Sequence, residues 1–332
     1  MIRVLVLCWS LVFGAVVASA QVPNPALLVL DKAGAQMVIV DVTSGKVVAR
    51  VPTGEGPHEV VTDGKLAIVC NYGARTPGST LSIIDLASPK EVRRVQLPGL
   101  LRPHGIVLHG GKAYFTAEWS RAVARYDIAS DRIDWVMGTG QEISHMLAVN
   151  RDATAIYTAD ILSDSVTAIE AAPGPRGWQV TKIAVGRGPE GVDLSPDGKE
   201  LWTAHSRDGG VSVIDTAARA VIATIPQLTK RSNRLKFTPD GRRVLISDPE
   251  ANEVVVLDRA SRKLVQRVKV DGLPLGILIT PDGRVAYIAT AKGGGVAILD
   301  LSTLQVSGRL ATGGEPDGMA WVGSAVGAEA GK

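Results

Sequence analysis

The stretch Gly188–Pro226, GPEGVDLSPDGKELWTAHSRDGGVSVIDTAARAVIATIP, decides the fold, because its landmarks return at a near-constant interval along the chain. It reads as an apolar run (Val192 to Leu194), a Pro-Asp-Gly turn, a second run (Leu201 to Ala204), a loop, a third run (Val211 to Ile214), an Asp-initiated turn and a fourth run (Val221 to Ile225). Short β-branched runs separated by turn residues predict four antiparallel strands per unit.

An acidic residue that closes the third run marks the register: Asp41, Asp85, Asp127, Glu170, Asp215, Asp258 and Asp300, at spacings of 44, 42, 43, 45, 43 and 42. Seven marks imply seven repeats. A four-stranded repeat cannot bury both faces of its own sheet, so the sheets must stack, and a ring of blades around an axis is the closed solution. The expected class is an all-β, seven-bladed propeller. Leu27 to Leu30 matches a second strand and Met319 to Val322 a first strand. One blade is therefore expected to be shared between the chain ends, which removes free sheet edges.

The repeats VSVIDTAARAVIATI, TPDGRRVLIS with VVVLDRASRKLV, and TPDGRVAYIAT with VAILDLSTLQV resemble YVTN-type repeats. The chain is similar over residues 26–322 to YVTN/YncE-like bacterial seven-bladed propellers, related in architecture to the β-chain propellers of quinoprotein amine dehydrogenases. The resemblance implies a fold rather than one activity, since such propellers host binding and catalysis alike. It also leaves single-stranded DNA binding, as in YncE-like proteins, as one expectation. The earlier repeats depart from the pattern: Gly110-Gly111 and Arg151-Asp152 stand where Pro-Asp-Gly is expected.

The 332 residues carry a formal charge of +3, too balanced to nominate a nucleic-acid or membrane partner. Residues 1–20 read as a cleavable export signal: Arg3, an apolar Val4 to Val17, and the small-residue site Ala18-Ser19-Ala20. The propeller then spans 21–322 and a tail 323–332, in a periplasmic or secreted monomer without a membrane span after cleavage. Cleavage also leaves Cys70 alone, so no intramolecular disulfide is expected.

In a propeller the turns after first and third strands share one face, and their repeating Asp and Gly residues do local structural work. The other face carries the start of each first strand and the end of each second. Aligned starts are His58, His104, His145, Glu190, Asn233, Leu275 and Asp317; aligned ends are Asp31, Asn71, Glu118, Asp160, His205, Asp248 and Thr290. Antiparallel pairing predicts that each start sits beside the end of its own blade, His58 by Asn71, His104 by Glu118, His145 by Asp160. His109 falls in a hairpin near the opposite face.

Three histidines converging from successive blades, backed by carboxylates, form a pattern that serves metal ligation or general-base work. A polar channel mouth is the plain alternative. The main expectation is a small molecule or protein bound at this face by residues among Asn71, Tyr72, Arg75, Arg102, Glu118, Trp119, Asp160, Arg187, Glu190, His205, Arg234, Asp248 and Asp317. The alternative is metal-assisted hydrolysis or lactone opening. There His58, His104 and His145 hold a divalent ion, and Glu118, Asp160, Glu190 or His205 handles a proton. Nucleic acid would need exposed aromatics among basic residues, which only Tyr72, Trp119 and Trp202 offer. Cys70, at the end of a second strand, reads as a small buried hydrophobe.

Overall fold

A computed structural model describes residues 22–174 and 177–323; the segment expected to be an export signal and the tail beyond Gly323 lie outside the described residues. Among these residues 28 strands form seven four-stranded antiparallel sheets, with one short 3-10 turn at Glu118–Ser120. Blade 1 holds Pro57–Thr62, Leu66–Gly73, Pro77–Asp85 and Lys90–Gln96; blade 2 Pro103–His109, Lys112–Ala117, Ala122–Asp127 and Arg132–Gly138; blade 3 Ser144–Val149, Ala155–Asp160, Ser165–Ala171 and Trp178–Ala184. Blade 4 holds Pro189–Leu194, Glu200–His205, Val211–Asp215 and Ala220–Ile225; blade 5 Leu235–Phe237, Arg243–Asp248, Glu253–Asp258 and Leu264–Lys269; blade 6 Pro274–Ile279, Val285–Thr290, Gly295–Asp300 and Gln305–Ala311. Blade 7 is the shared one: Pro316–Val322 pairs with Ala26–Asp31, followed by Gln36–Asp41 and Lys46–Pro52, with Leu27 opposite Trp321.

The core lies between blades. Second strands sit in the middle of the stack, so both of their faces are covered and they read as unbroken buried runs, as in Ala26–Asp31 and Ala155–Asp160. Outer strands alternate between half-buried and exposed residues, and Lys90, Arg93 and Arg94 blunt one such edge. Register shifts bend the outer pair in six of the blades.

The repeated acids do the local work expected of them. Asp41 accepts from the Thr43 amide (2.9 Å) and the Ser44 hydroxyl (2.7 Å), and Asp300 from Ser302 and Thr303 amides (2.8 and 2.9 Å). These bonds hold both carboxyls below their usual range. Glu170 differs: it pairs with Arg219 of the next blade. In the hairpin turns the glycine takes positive φ, +71° at Gly198 and +68° at Gly283.

Cys70 is fully buried, and burial raises its thiol pKa well above the ordinary value.

Candidate binding site at the histidine mouth

Six of the seven first strands open with an irregularity that frees the residue beside the axis from the ladder; Leu235–Phe237 of blade 5 pairs without one. Pro57 pairs with Asn71, Pro103 with Ala117, Ser144 with Asp160 and Pro189 with His205, and the register then shifts before pairing resumes. The residue after each of these, namely His58, His104, His145 or Glu190, is therefore re-aimed. His58 and His145 accordingly meet the neighbouring blade rather than the end residue of their own, which corrects the pairing expected for them. His104 keeps Glu118 of its own blade close, with one donor atom of each of His104, Glu118 and His145 within 4.8 Å of the others. His145 Nδ1 bonds to Glu118 of blade 2, and His58 Nδ1 lies 3.2 Å from Asp317 Oδ2 of blade 7, within ion-pair range but without hydrogen-bond geometry.

The approach of the blades rests on a glycine that follows the start residue in a recurrent Pro-X-Gly. A Cβ on Gly105 would lie 2.7 Å from the His145 carbonyl oxygen, and one on Gly318 2.2 Å from that of His58. The Thr116 hydroxyl accepts from the Gly105 amide (3.0 Å) and donates to the His145 carbonyl (2.6 Å), pinning blade 3 to blade 2. As a result the His104 and His145 rings lie 3.9 Å apart, centroid to centroid, and His58 lies 4.5 Å from His104. Sequence reading passed over Gly105, Thr116 and Glu59, although Pro103-His104-Gly105, Pro189-Glu190-Gly191, Pro274-Leu275-Gly276 and Pro316-Asp317-Gly318 are visible as a repeated motif.

Glu118 reaches this cluster because its strand stops at Ala117, one residue early, and the chain enters the 3-10 turn that Arg121 ends at φ 50°. Its second oxygen accepts from the Tyr72 hydroxyl at 2.6 Å. Burial, and then Glu118, push the Tyr72 pKa upward, so the phenol stays protonated. The Tyr72 ring lies 4.6 Å from His58, and the Arg102 guanidinium stacks 4.5 Å over Tyr72 and 4.9 Å over Trp119, which is exposed at the rim. Arg102 donates to the carbonyls of Tyr72, Gly73 and Ala74 and so does not neutralise Glu118.

His104 is 1% exposed, and its Nδ1 has no partner; His145 Nε2 is also buried without one. Burial, followed by repulsion from His145, His58, Arg234 and Lys32, drives the His104 pKa well below the ordinary value, so the ring is neutral at pH 7. Beneath the rings Arg234 of blade 5 crosses the axis to Glu59 of blade 1, its Nε 3.1 Å from the carboxylate, and approaches Asp317 at 3.8 Å. Lys32 adds a contact to Asp317 at 3.2 Å. Burial raises the Asp317 pKa, but Arg234, His58 and Lys32 together outweigh it and hold the carboxyl well below its usual range.

The remaining candidates are placed as follows. Asn71 bonds to Gly54, Thr80 and Ser82; Asp160 accepts from Ser144, Thr158, Ser165 and Thr167; Asp248 accepts from the amides of Lys230, Arg231 and Ala251. His205 is buried with Nδ1 3.0 Å from Asp208, and Glu190 bonds to Asn233. Arg75 and Arg187 are exposed at the rim, and Trp202 is fully buried, which takes it out of any exposed aromatic track. His109 is half-buried and lies outside the cluster. The turn face has a cleft of about 490 Å³ between Val107, Leu147, Asp193 and Lys236, but it gathers no comparable set of unpartnered donors.

No helix among the described residues is long and apolar enough to cross a membrane. A family model described as the cytochrome D1 heme domain matches residues 153–283, which holds blades 4 and 5 and parts of blades 3 and 6 but none of His58, His104 or His145. No curated protein matches in sequence. Among solved structures, hydrazine synthase of Kuenenia stuttgartiensis is 21% identical with a TM-score of 0.67, covering 80% of this chain and 89% of that one. A functionally unknown protein of Desulfotomaculum acetoxidans is 13% identical with a TM-score of 0.74, covering 91% and 99%. Dihydro-heme d1 dehydrogenase NirN in complex with DHE is 17% identical with a TM-score of 0.64, covering 86% and 63%. At these identities the likeness is one of fold, so the chain is a seven-bladed β-propeller that shares part of its length with the cytochrome D1 heme domain family.

Proposed function

We propose that this chain is an exported, YVTN-like propeller that binds a small molecule at the histidine-bearing mouth of its axis. The observation that carries the reading is the placement of unpartnered imidazole nitrogens of His104 and His145 directly beside a lip built from Tyr72, Arg102 and exposed Trp119. Unsatisfied buried polar atoms are rare in folded proteins and concentrate where a ligand supplies the missing partner. Arg102 and the two aromatic rings offer a flat, cationic surface for a conjugated or anionic group.

Thermal-shift screening of a small-molecule panel tests this, comparing wild type with His104→Ala and Trp119→Ala. A ligand that raises the wild-type midpoint but neither variant's supports the site. Hits that stabilise all three proteins equally would move binding elsewhere on the molecule.

A second reading is favoured by the family match alone: the ligand is a haem. Haemin titration followed by visible absorption decides it. A shifted Soret band lost in His104→Ala supports haem at this mouth, and a spectrum equal to that of free haemin removes it.

A further inference from the structure

We infer that His104, His145 and Glu118 bind one divalent transition-metal ion, a reading that rests on the histidine mouth being the binding site. One nitrogen from each histidine and one oxygen of Glu118 all lie within 4.8 Å of one another. Two imidazoles and a carboxylate are a donor set that suits zinc or copper and leaves a coordination position for water or ligand.

The local chemistry asks for a cation. Glu118 is 2% exposed and receives only the Tyr72 hydroxyl and His145, while Arg102 is turned to backbone carbonyls. A neutral imidazole has one donor and one acceptor nitrogen, and a buried acceptor left without a partner destabilises the fold. A divalent ion answers the His104 lone pair and the buried carboxylate at once, and takes the place of the proton between His145 Nδ1 and Glu118. Tyr72 and Thr116 then act as positioning residues: the first holds the far oxygen of Glu118, the second fixes the His145 backbone through its carbonyl.

His58 is left out of this set. Its ring packs at a tilt against His104, but its Nδ1 faces Asp317 and not Glu118. That separates a two-histidine, one-glutamate centre from the three-histidine centre expected from the sequence.

The test is calorimetric titration of the full mature chain, stripped with chelator and dialysed, using zinc chloride and copper chloride. One ion per chain is expected, with affinity cut at least about tenfold by His104→Gln, His145→Gln, Glu118→Gln and, because its hydroxyl holds the far oxygen of Glu118, Tyr72→Phe. His58→Gln should fall by less than these, and His109→Ala should match wild type. Copper electron resonance gives an independent readout: coupling to two imidazole nitrogens in wild type and to one in His145→Gln, with circular dichroism confirming that each variant is folded. Wild type that binds neither ion beyond a His104→Gln baseline overturns the metal site. So does a loss on His58→Gln equal to that on Glu118→Gln. Either result leaves the small-molecule screen unaffected, so the two readings fail separately.

Discussion

Replacing Arg234 by Met tests whether the charged strut across the axis holds the ring together. The guanidinium side chain is 5% exposed, and its partners Glu59 and Asp317 are 13% and 4% exposed. Removing one member of a buried ionic group strands the others, which costs about 3–5 kcal/mol. At about 2–4 °C per kcal/mol for larger domains, the midpoint should fall by on the order of 10 °C at pH 7.5. The pH dependence supplies the sharper check. Because the folded Asp317 pKa is depressed, its contribution is present above the unfolded value of about 3.9 and is lost as pH falls through the folded one. Without Arg234 the burial of Asp317 is opposed only by His58 and Lys32, so its pKa rises and that contribution shrinks. The gap between wild type and Arg234→Met should therefore be widest above pH 5 and narrow below pH 4. Melting curves by circular dichroism from pH 3 to 7.5 measure it, with Glu59→Gln/Arg234→Met expected to recover part of the loss. A midpoint drop under about 2 °C at pH 7.5, or a gap that widens in acid, would refute the reasoning.

Asp160 gives the opposite slope. Burial raises its pKa to about 6 despite four hydroxyl donors, so ionising it as pH rises from about 4 to 6 costs up to about 3 kcal/mol, and Asp160→Asn should lose that part of the pH dependence of melting. Leu28→Ala, in the fully buried strand that closes the ring, should cost about 2–5 kcal/mol in denaturant titration, whereas Val48→Ala at 40% exposure should be near neutral. Gly105→Ala should push the His145 backbone away and weaken any ligand of the mouth, measured by the same thermal shifts, while Gly198→Ala on the turn face should leave ligand shifts unchanged despite its strain. The Cys70 thiol should react with a maleimide only as fast as the protein unfolds, so labelling in native buffer that goes to completion within minutes would contradict its burial.

The blade count, the four-strand repeat, the shared blade and the turn face were legible in the sequence because each depends on local rules. Asp caps its own turn, glycine takes positive φ, and apolar runs alternate with turn residues at a fixed interval. The convergence of His58, His104 and His145 on one mouth followed from the same repeat, since equivalent positions on successive blades must be neighbours. Which groups they meet did not follow. Partnering at the axis is set by the bulge after each Pro57-type pair, by the space left at Gly105 and Gly318, and by the early stop of the strand before Glu118. The contacts that result join segments far apart in the chain, 29 residues for Thr116 to His145 and 175 for Arg234 to Glu59, and the repeat alone does not say which side chains will meet. Only the closed ring could bring Arg234 to Glu59 across the axis, turn Trp202 inward and separate His58, facing Asp317, from the pair that faces Glu118.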